Sequence, residues 1–423
     1  MTSGQVVTLL LDLAVILVVA RAMGALARRF DQPPVIGEIL AGIAFGPTLF
    51  HGAIADALFP AGVRPMLSAL ANVGVVLFMF LAGLEFSRKL LRRRLGSIAA
   101  VSAGSTLVPF ALGTVLAGWL AARHGGGHTL GFVLYVGTAM SVTAFPVLAR
   151  IIGDRGMSGT RIGALALGSA AVGDLLCWSM LAVAVMTLGG GGHDPWRVLL
   201  IVPFAAAGFL VVRPLLGRLI RWQARRGWIL EIFAAVLIGL LVSSAFTEWA
   251  GLHFLFGAFL FGLLMPEDVA EVREGVAQRI EQVGTTLLLP VYFVVAGLQV
   301  DLSGVGLAGL GEFGLILLVA VGGKFAGALA GARLAREDWR RSATLAVLMN
   351  TRGLTELIVL SAGLQLGLLD RTLYSLLVLT AVATTVMTGP LLRLAYPRRL
   401  LDEDLEAALA AAPASPECPR PGR

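Results

Sequence analysis

Residues 170–179 read AAVGDLLCWS, and the residues on both sides are equally apolar, with GALALGS (163–169) before them and MLAVAVMTLG (180–189) after them. A run of 18 or more apolar residues is long enough to cross a bilayer as a helix. Asp174 is the one carboxylate in this run. Because an ionisable side chain at that depth is costly, the stretch predicts a membrane-spanning helix whose carboxylate has a function.

The composition extends this prediction to the whole chain. Of its 423 residues, 57% are apolar and 14% are charged, and the mean hydropathy is +0.86. Soluble domains carry about 25% charged residues. We therefore predict an all-α polytopic membrane protein. It has thirteen candidate spans, centred near residues 15, 42, 76, 109, 140, 174, 206, 239, 259, 290, 323, 354 and 383.

The basic residues orient these spans. Of 33 lysines and arginines, 27 lie in the joints after odd-numbered spans or in the C-terminal tail, most densely in SRKLLRRRLG (87–96) and RLIRWQARRG (218–227). Cytoplasmic loops carry such an excess, which predicts an external N-terminus and a cytoplasmic C-terminus. Membrane topology accounts for these charges, so they do not indicate a nucleic-acid partner. We expect a multi-pass protein of a prokaryotic inner membrane.

Two pairs of similar short sequence segments (words) indicate an internal repeat. LFMFLAGLEF (77–86) resembles VYFVVAGLQV (291–300), and GEILAGIAFGP (37–47) resembles GAFLFGLLMP (257–266). The two members of each pair lie seven spans apart. Because seven is an odd number, the two copies enter the membrane from opposite sides. This predicts an inverted repeat of six spans, one connecting span and six spans, an arrangement typical of secondary transporters.

The same offset pairs two spans that are interrupted by helix-breaking or polar residues. The fifth contains MSVTAFPVLARI (140–151), and the twelfth contains MNTRGLTELIVL (349–360). Helices broken at matching places in two halves indicate a substrate site, although a plain proline kink is the alternative for the fifth span. The predicted broken-helix site consists of Ser141, Thr143, Pro146, Asn350, Thr351, Arg352, Gly353 and Glu356.

Asp174 and Lys324 are the predicted ion-binding pair. Burial favours the neutral form of a carboxyl group and a nearby cation favours its ionised form, so Asp174 can hold either a proton or a metal cation. The alternative is a permanent salt bridge. Lys324 is one of two lysines beside 31 arginines. A buried lysine can lose its proton, which an arginine essentially cannot, and its expected partner is Asp174.

The other intramembrane charges have less specific interpretations. Arg352 and Glu356 are four residues apart and would face each other on a continuous helix, either as a structural pair or as part of the ion path. Asp12, Glu38 and Glu85 are interpreted as packing or interface positions. We find no nucleophile–base pair and no Cys/His cluster, so neither an enzyme nor a cofactor is predicted. The only metal ion expected is a transported Na⁺ or K⁺.

Several of these words together resemble the monovalent cation:proton antiporter-2 family of the sodium/proton exchanger superfamily. They are QPPVIGEILAGIAFGPT, LFMFLAGLEF, SVTAFPVLARI, AAVGDLLCW, FGAFLFGLLMP, LPVYFVVAGLQVDL and LMNTRGLTELIVL. The resemblance implies a homodimer, with dimerisation and core subdomains interleaved within residues 1–396. It also implies two crossing broken helices and an elevator-like movement of the core.

The resemblance assigns Asp174 to the ion- and proton-binding carboxylate and Lys324 to its basic partner position. It also reveals a departure, because Gly173 stands where many members carry a second acidic or amide residue. Either Lys324 pairs directly with Asp174 or it titrates alone. One-for-one exchange is the simplest expectation, and two protons per cation remain possible if Lys324 also gives up its proton.

The sequence thus predicts an antiporter that exchanges Na⁺ or K⁺ for H⁺, with Asp174 binding either ion in turn. A sodium-coupled carrier of an organic anion, on a related fold, is the alternative. A membrane sensor or channel is a third hypothesis. Residues 397–423 contain too few apolar residues to form a domain and are expected to be a short, disordered cytoplasmic tail.

Overall fold

A computed structural model of the chain describes residues 2–49, 52–85, 95–124, 129–157, 160–187, 200–226, 228–266 and 270–410. Its regular elements within these ranges are helices. In chain order they are α1 (Ser3–Arg29), α2 (Pro34–Phe45), α3 (Ala53–Leu58), α4 (Arg64–Glu85), α5 (Leu95–His124), α6 (Thr129–Ser141), α7 (Phe145–Asp154), α8 (Arg161–Met186), α9 (Ile201–Ala224), α10 (Ile229–Trp249), α11 (Phe254–Leu264), α12 (Ala270–Val283), α13 (Leu289–Leu298), α14 (Leu307–Leu334), α15 (Trp339–Met349), α16 (Leu354–Gln365), α17 (Arg371–Ala395) and α18 (Arg398–Ala410). A π-helical turn, Gly284–Leu288, joins α12 to α13.

Local sequence signals explain where several helices begin. The hydroxyl of Thr160 accepts a hydrogen bond from Gly163 N–H at 3.0 Å, and a carboxylate oxygen of Asp370 accepts one from Leu373 N–H at 2.7 Å. These caps satisfy amides that would otherwise lack a partner at the first turns of α8 and α17. In α2, Pro34 occupies the first turn, where its missing N–H costs nothing.

The described part of the chain is built to cross a membrane several times. By length and hydropathy ten helical stretches can span, taking α6 with α7 and α12 with α13, and the bent pair α15 and α16 makes eleven. The helices at the predicted second and ninth spans, α2 and α11, have only 12 and 11 residues. At about 1.5 Å per residue they fall short of a ~30 Å hydrocarbon core. The multi-pass architecture is confirmed, whereas the count of thirteen and the orientation stay predictions.

Part of the sequence that predicted the orientation lies outside the described ranges. Residues 86–94, which include most of the densest basic run, lie outside the described ranges. The second basic run is described except at residue 227 and forms the end of α9.

The helices form two groups by their closest packing. The crossing group consists of α5, α6, α7, α8, α14, α15, α16 and α17, and the flanking group consists of α1, α2, α4, α10, α11 and α13. The most extensive contacts join α5 to α14 in the first group and α4 to α11 in the second. Helix α9 packs on α10 and α11. Each group therefore draws its helices from both halves of the sequence.

Close glycine contacts in the flanking group follow the predicted repeat. A Cβ atom added at Gly297 in α13 would lie 2.7 Å from Gly42 Cα in α2, and one added at Gly262 in α11 would lie 2.9 Å from Gly83 Cα in α4. These four glycines belong to the four repeated words. The first-half word of one pair thus packs on the second-half word of the other pair in both cases, as expected for two repeats related by a twofold axis.

The C-terminal segment is partly helical rather than wholly disordered. Helix α18 covers residues 398–410, and Asp404 on it is buried against Tyr396 and Arg341. The Tyr396 hydroxyl donates to Asp404 Oδ2 at 2.6 Å, and Arg341 forms an ion pair with the same carboxylate. The low apolar content of the tail did not reveal this anchoring, because its contacts are polar. Residues 411–423 lie outside the described ranges.

Candidate functional site

The two interrupted spans meet at their breaks. Helix α6 ends at Ser141 and α7 begins at Phe145, while α15 ends at Met349 and α16 begins at Leu354. The N–H of Ala144 donates to the carbonyl of Thr351 at 3.0 Å, and the Thr143 hydroxyl donates to the carbonyl of Met349 at 3.2 Å. Backbone groups that the breaks leave without helical partners therefore bond across the crossing.

Pro146 and Gly353 shape the crossing in different ways. Pro146 lies in the first turn of α7, where it begins a half-helix rather than kinking a continuous one. Gly353 caps α16, and a Cβ atom at this position would lie 2.8 Å from Val147 Cγ2. The absence of a side chain at Gly353 thus allows the two spans to approach closely. The predicted interruption is present in both spans, with a bend of 42° between α15 and α16.

Lys324 lies at the end of α6, although it belongs to α14. Its side chain is fully buried, and its ammonium donates to the carbonyl of Ser141 at 2.5 Å and to the hydroxyl of Thr143 at 2.6 Å. The carbonyl end of a helix carries partial negative charge, which an ammonium offsets. Asp174, the partner predicted from the sequence, lies on α8, which packs against α6.

Arg352 lies in the second break and forms an ion pair with Glu356 in the first turn of α16. Both side chains are fully buried. Arg352 also donates to the carbonyl of Met140 at 2.8 Å, so this cation lies near the same end of α6 as Lys324. The predicted four-residue pair is therefore formed, even though Arg352 precedes the helix that holds Glu356.

Asp174 occupies the middle of α8 and is 6% exposed. On the next turn, the Cys177 thiol lies 3.9 Å from the carbonyl of Thr138, which ties this part of α8 to the last turn of α6. At Gly173 a Cβ atom would meet only hydroxyls, 3.5 Å from Thr106 Oγ1 and 3.8 Å from Ser102 Oγ. Position 173 is thus lined by polar groups of α5.

Several polar atoms around the crossing have no hydrogen-bond partner among the described residues. The side-chain amide of Asn350 and the hydroxyls of Ser102, Thr351 and Thr355 are buried and make no hydrogen bond to that part of the chain. One carboxylate oxygen of Glu356 is in the same state. Buried polar groups are nearly always paired, with water or an ion where protein groups do not suffice. The crossing therefore contains spare oxygen ligands for a small cation or for water.

A cavity of about 550 Å³ leads to the crossing between the two helix groups. The crossing group contributes Pro146, Val147 and Leu354 to its wall, and the flanking group contributes Phe78 and Phe293. Because Pro146 and Leu354 belong to the first turns of α7 and α16, the cavity reaches the positive ends of both half-helices. It is the candidate path by which an ion enters from one side.

Two of the remaining membrane carboxylates lie away from the crossing. Asp12 is buried in α1 and Glu38 is half-buried in α2, so both belong to the flanking group. The side chain of Glu85 lies outside the described residues.

One residue of the site was missed in the sequence. Thr385 of α17 donates to the carbonyl of Arg352 at 2.7 Å and accepts from its N–H at 3.2 Å, which satisfies the backbone of the second break. The unusual run of threonines in TAVATTVMTG (380–389) was the signal that could have indicated it.

Comparisons with known proteins agree with this architecture. Residues 14–394 match the family model described as sodium/hydrogen exchanger, transmembrane. The chain is 35% identical over 407 residues to the Na⁺/H⁺ antiporter NhaS4 of Synechocystis, covering 94% of this chain and 99% of that one. It is 30% identical over 417 residues to K⁺/H⁺ antiporter 1 of Saccharomyces cerevisiae, of which it spans 47%.

A solved structure shares the fold. The sodium proton antiporter MjNhaP1 of Methanocaldococcus jannaschii superposes with a TM-score of 0.65 at 15% sequence identity, covering 95% of this chain and 99% of the other. The resemblance found in the sequence words is confirmed by these matches. The chain belongs to the sodium/hydrogen exchanger family, whose members are membrane transporters and not enzymes.

Proposed function

We propose that this protein exchanges a monovalent cation, Na⁺ or K⁺, for H⁺ across a membrane, and that Asp174 holds each ion in turn. The observation that carries the proposal is a buried carboxylate on the helix that packs against two crossing half-helix pairs. Relatives named for Na⁺/H⁺ and K⁺/H⁺ exchange support the same reaction. A Bacillus cereus relative at 29% identity, GerN, is named an Na⁺/H⁺-K⁺ antiporter.

Competition at Asp174 couples the two ions. A bare carboxylate is costly in a site with little water, so either a proton or a cation must neutralise it. Both together would leave an excess positive charge beside Lys324 and Arg352. The loaded forms are therefore alternatives, and exchange follows if only loaded forms change the side from which Asp174 is reached.

The movement we propose is an elevator-like displacement of the crossing group against the flanking group. All residues of the broken-helix site belong to the crossing group, together with Lys324 and Asp174. The cavity that reaches the crossing runs along the seam between the groups. A displacement along that seam would close this cavity and open another on the opposite side.

We further propose a homodimer in which the flanking group forms the interface, in a prokaryotic inner membrane with the C-terminus in the cytoplasm. The bacterial relatives support this placement, although plant and yeast relatives also match. The organic-anion alternative has less support. An organic anion would need a cationic ligand at the crossing, and the guanidinium of Arg352 is already bound by Glu356 and by the Met140 carbonyl.

Transport by reconstituted protein tests the proposal. Proteoliposomes that contain a pH-sensitive dye should show dequenching when Li⁺, Na⁺, K⁺ or Rb⁺ is added, and the ion series gives the selectivity. Asp174→Asn should abolish the signal. Asp12→Asn is the matched control, because Asp12 is equally buried, at 5% exposure, but lies in the flanking group. It should retain transport.

Both variants should keep the wild-type melting temperature, so that loss of transport is not loss of folding. Transport by Asp174→Asn at the wild-type rate would rule out the assigned role. Sodium-dependent uptake of a labelled organic anion, without proton movement, would favour the alternative.

A further inference from the structure

A second cavity, of about 760 Å³, adjoins the first at Pro33 and Asp154 and is lined by four arginines. Arg28 comes from the last turn of α1, Arg155 from the end of α7, Arg393 from the last turn of α17, and Arg398 from the first turn of α18. Its wall therefore contains residues of both helix groups and of the C-terminal helix. A volume of this size is typical of sites that hold small organic ligands.

The charges around this cavity are not balanced. Asp31 and Asp154 are its acidic lining residues. Asp31 forms an ion pair with Arg393, and Asp154 lies 3.7 Å from Arg150, which is not part of the wall. Within the described ranges, the other three wall arginines form no ion pair at 4 Å or less. The cavity consequently holds an excess of guanidinium groups.

Gly389 opens the floor of the cavity. A Cβ atom at this position in α17 would lie 3.6 Å from the carbonyl of Asp31, 3.8 Å from Gln32 Nε2 and 4.0 Å from a guanidinium nitrogen of Arg155. The amide and the guanidinium thus converge over one glycine. A ligand placed there would meet the guanidinium of Arg155 and the amide of Gln32, beside the carbonyl of Asp31.

The wall is held in place by its neighbours. Gln32 donates to the carbonyl of Val386 at 3.3 Å, which fixes the α1–α2 turn against α17. Asp404, bonded to Tyr396 and Arg341, fixes α18 and with it Arg398. The start of α18 adds the partial positive charge of a helix N-terminus beside the wall.

We propose that this cavity binds a phosphate-bearing anion, with Arg28, Arg155 and Arg398 as its principal ligands. Guanidinium groups bind phosphate oxygens in bidentate geometry, and basic pockets between membrane helices suit anionic lipid headgroups. The anion is either such a headgroup or a soluble phosphate compound. Because its ligands come from both groups, a bound anion joins the α1–α2 turn to α7 and α18.

Binding can be measured on the full chain in detergent without any transport assay. The melting temperature is followed by tryptophan fluorescence during titration with dioctanoyl phosphatidylglycerol or with inorganic phosphate, at constant ionic strength. Dioctanoyl phosphatidylcholine, which carries no net charge, is the control lipid. We expect at least one of the two anions to raise the melting temperature with saturation. A response to the lipid alone identifies a headgroup site, and a response to phosphate identifies a soluble ligand.

Two variants test the site independently. Arg155→Gln/Arg398→Gln should weaken binding by roughly 30-fold, from the loss of two arginine–phosphate contacts. Arg29→Gln/Arg399→Gln removes the same charge from neighbouring residues outside the cavity and should bind as the wild type does. Gly389→Leu keeps every charge but fills the floor, and it should also abolish the shift.

Three results would overturn the proposal. The first is that neither anion raises the melting temperature, or that phosphatidylcholine raises it equally. The second is an equal loss in the two double variants, which would show only a general charge effect. The third is undiminished binding by Gly389→Leu.

Discussion

One added methyl group at Gly353 should separate the two broken spans. In Gly353→Ala the new Cβ would lie 2.8 Å from Val147 Cγ2, about 0.7 Å inside the shortest comfortable carbon–carbon distance of ~3.5 Å. Val147 cannot turn away cheaply, because a β-branched side chain in a helix has one strongly preferred rotamer. The contact must therefore be relieved by moving α7 away from α16.

Such overpacking costs about 1–3 kcal/mol. We expect the melting temperature to fall by a few degrees. If the whole cost adds to the activation free energy of transport, exchange in proteoliposomes should slow by roughly 5- to 150-fold. Gly118→Ala in α5 is the control, because a Cβ atom there has nothing within 4 Å. It should be neutral or slightly stabilising, since alanine is the better helix former.

Removing the clashing methyl groups of Val147 should restore part of the stability and transport that Gly353→Ala loses. In Gly353→Ala/Val147→Ala the contact is gone, so the double variant should be less impaired than the two single changes summed. The reasoning would be refuted by wild-type melting and transport in Gly353→Ala, or by strictly additive effects in the double variant.

Three further outcomes are expected from the structure. Arg352→Gln should destabilise the protein by about 3–5 kcal/mol, because it leaves Glu356 buried without its cation, and adding Glu356→Gln should recover part of the loss in a melting experiment. Thr385→Val should cost about 1–3 kcal/mol by leaving the Arg352 backbone unsatisfied, whereas Thr385→Ser should melt like the wild type. Burial raises the pKa of Asp370, but hydrogen bonds from His124 and from backbone amides outweigh it and leave that pKa below its ordinary value. Asp370→Asn keeps the helix cap and removes the charge. It should therefore lower stability by up to about 1 kcal/mol at pH 7. This difference should begin to shrink as the pH falls through ~4, where the carboxyl group of the unfolded chain takes up its proton, and should vanish only below the lowered pKa of the folded state.

Hydropathy and residue spacing predicted the helices and the breaks because both are local properties of the sequence. The words around Pro146 and Gly353 identified the two interruptions, and these two breaks touch each other in the structure. The repeated words likewise made Gly83 equivalent to Gly297 and Gly42 equivalent to Gly262, and each of these glycines lies at a close helix contact with a glycine of the other pair. The breaks and the repeat were predicted from the similarity between distant segments of the sequence, because no single segment was specific enough alone.

Contacts that depend on how helices approach each other could not be predicted in the same way. The partners of Lys324 include a backbone carbonyl at Ser141, and such an acceptor has no signature in the sequence. Thr385 satisfies the second break from a different span, 33 residues further on. Helix α18 is held through Asp404, a charged residue that hydropathy assigns to solvent.

The arrangement around Lys324 bears on how many charges one cycle moves. Its ammonium offsets the negative end of α6, and Arg352 and Glu356 neutralise each other. With these three charges fixed, Asp174 is the remaining group of the proposed site whose charge can change. Each loaded form of Asp174 then carries the same total charge, whether the guest is a proton or a cation. Glycine at position 173 carries no side chain that could accept another proton. One-for-one exchange, insensitive to an imposed membrane potential, follows from this balance unless Lys324 exchanges its own proton during the cycle.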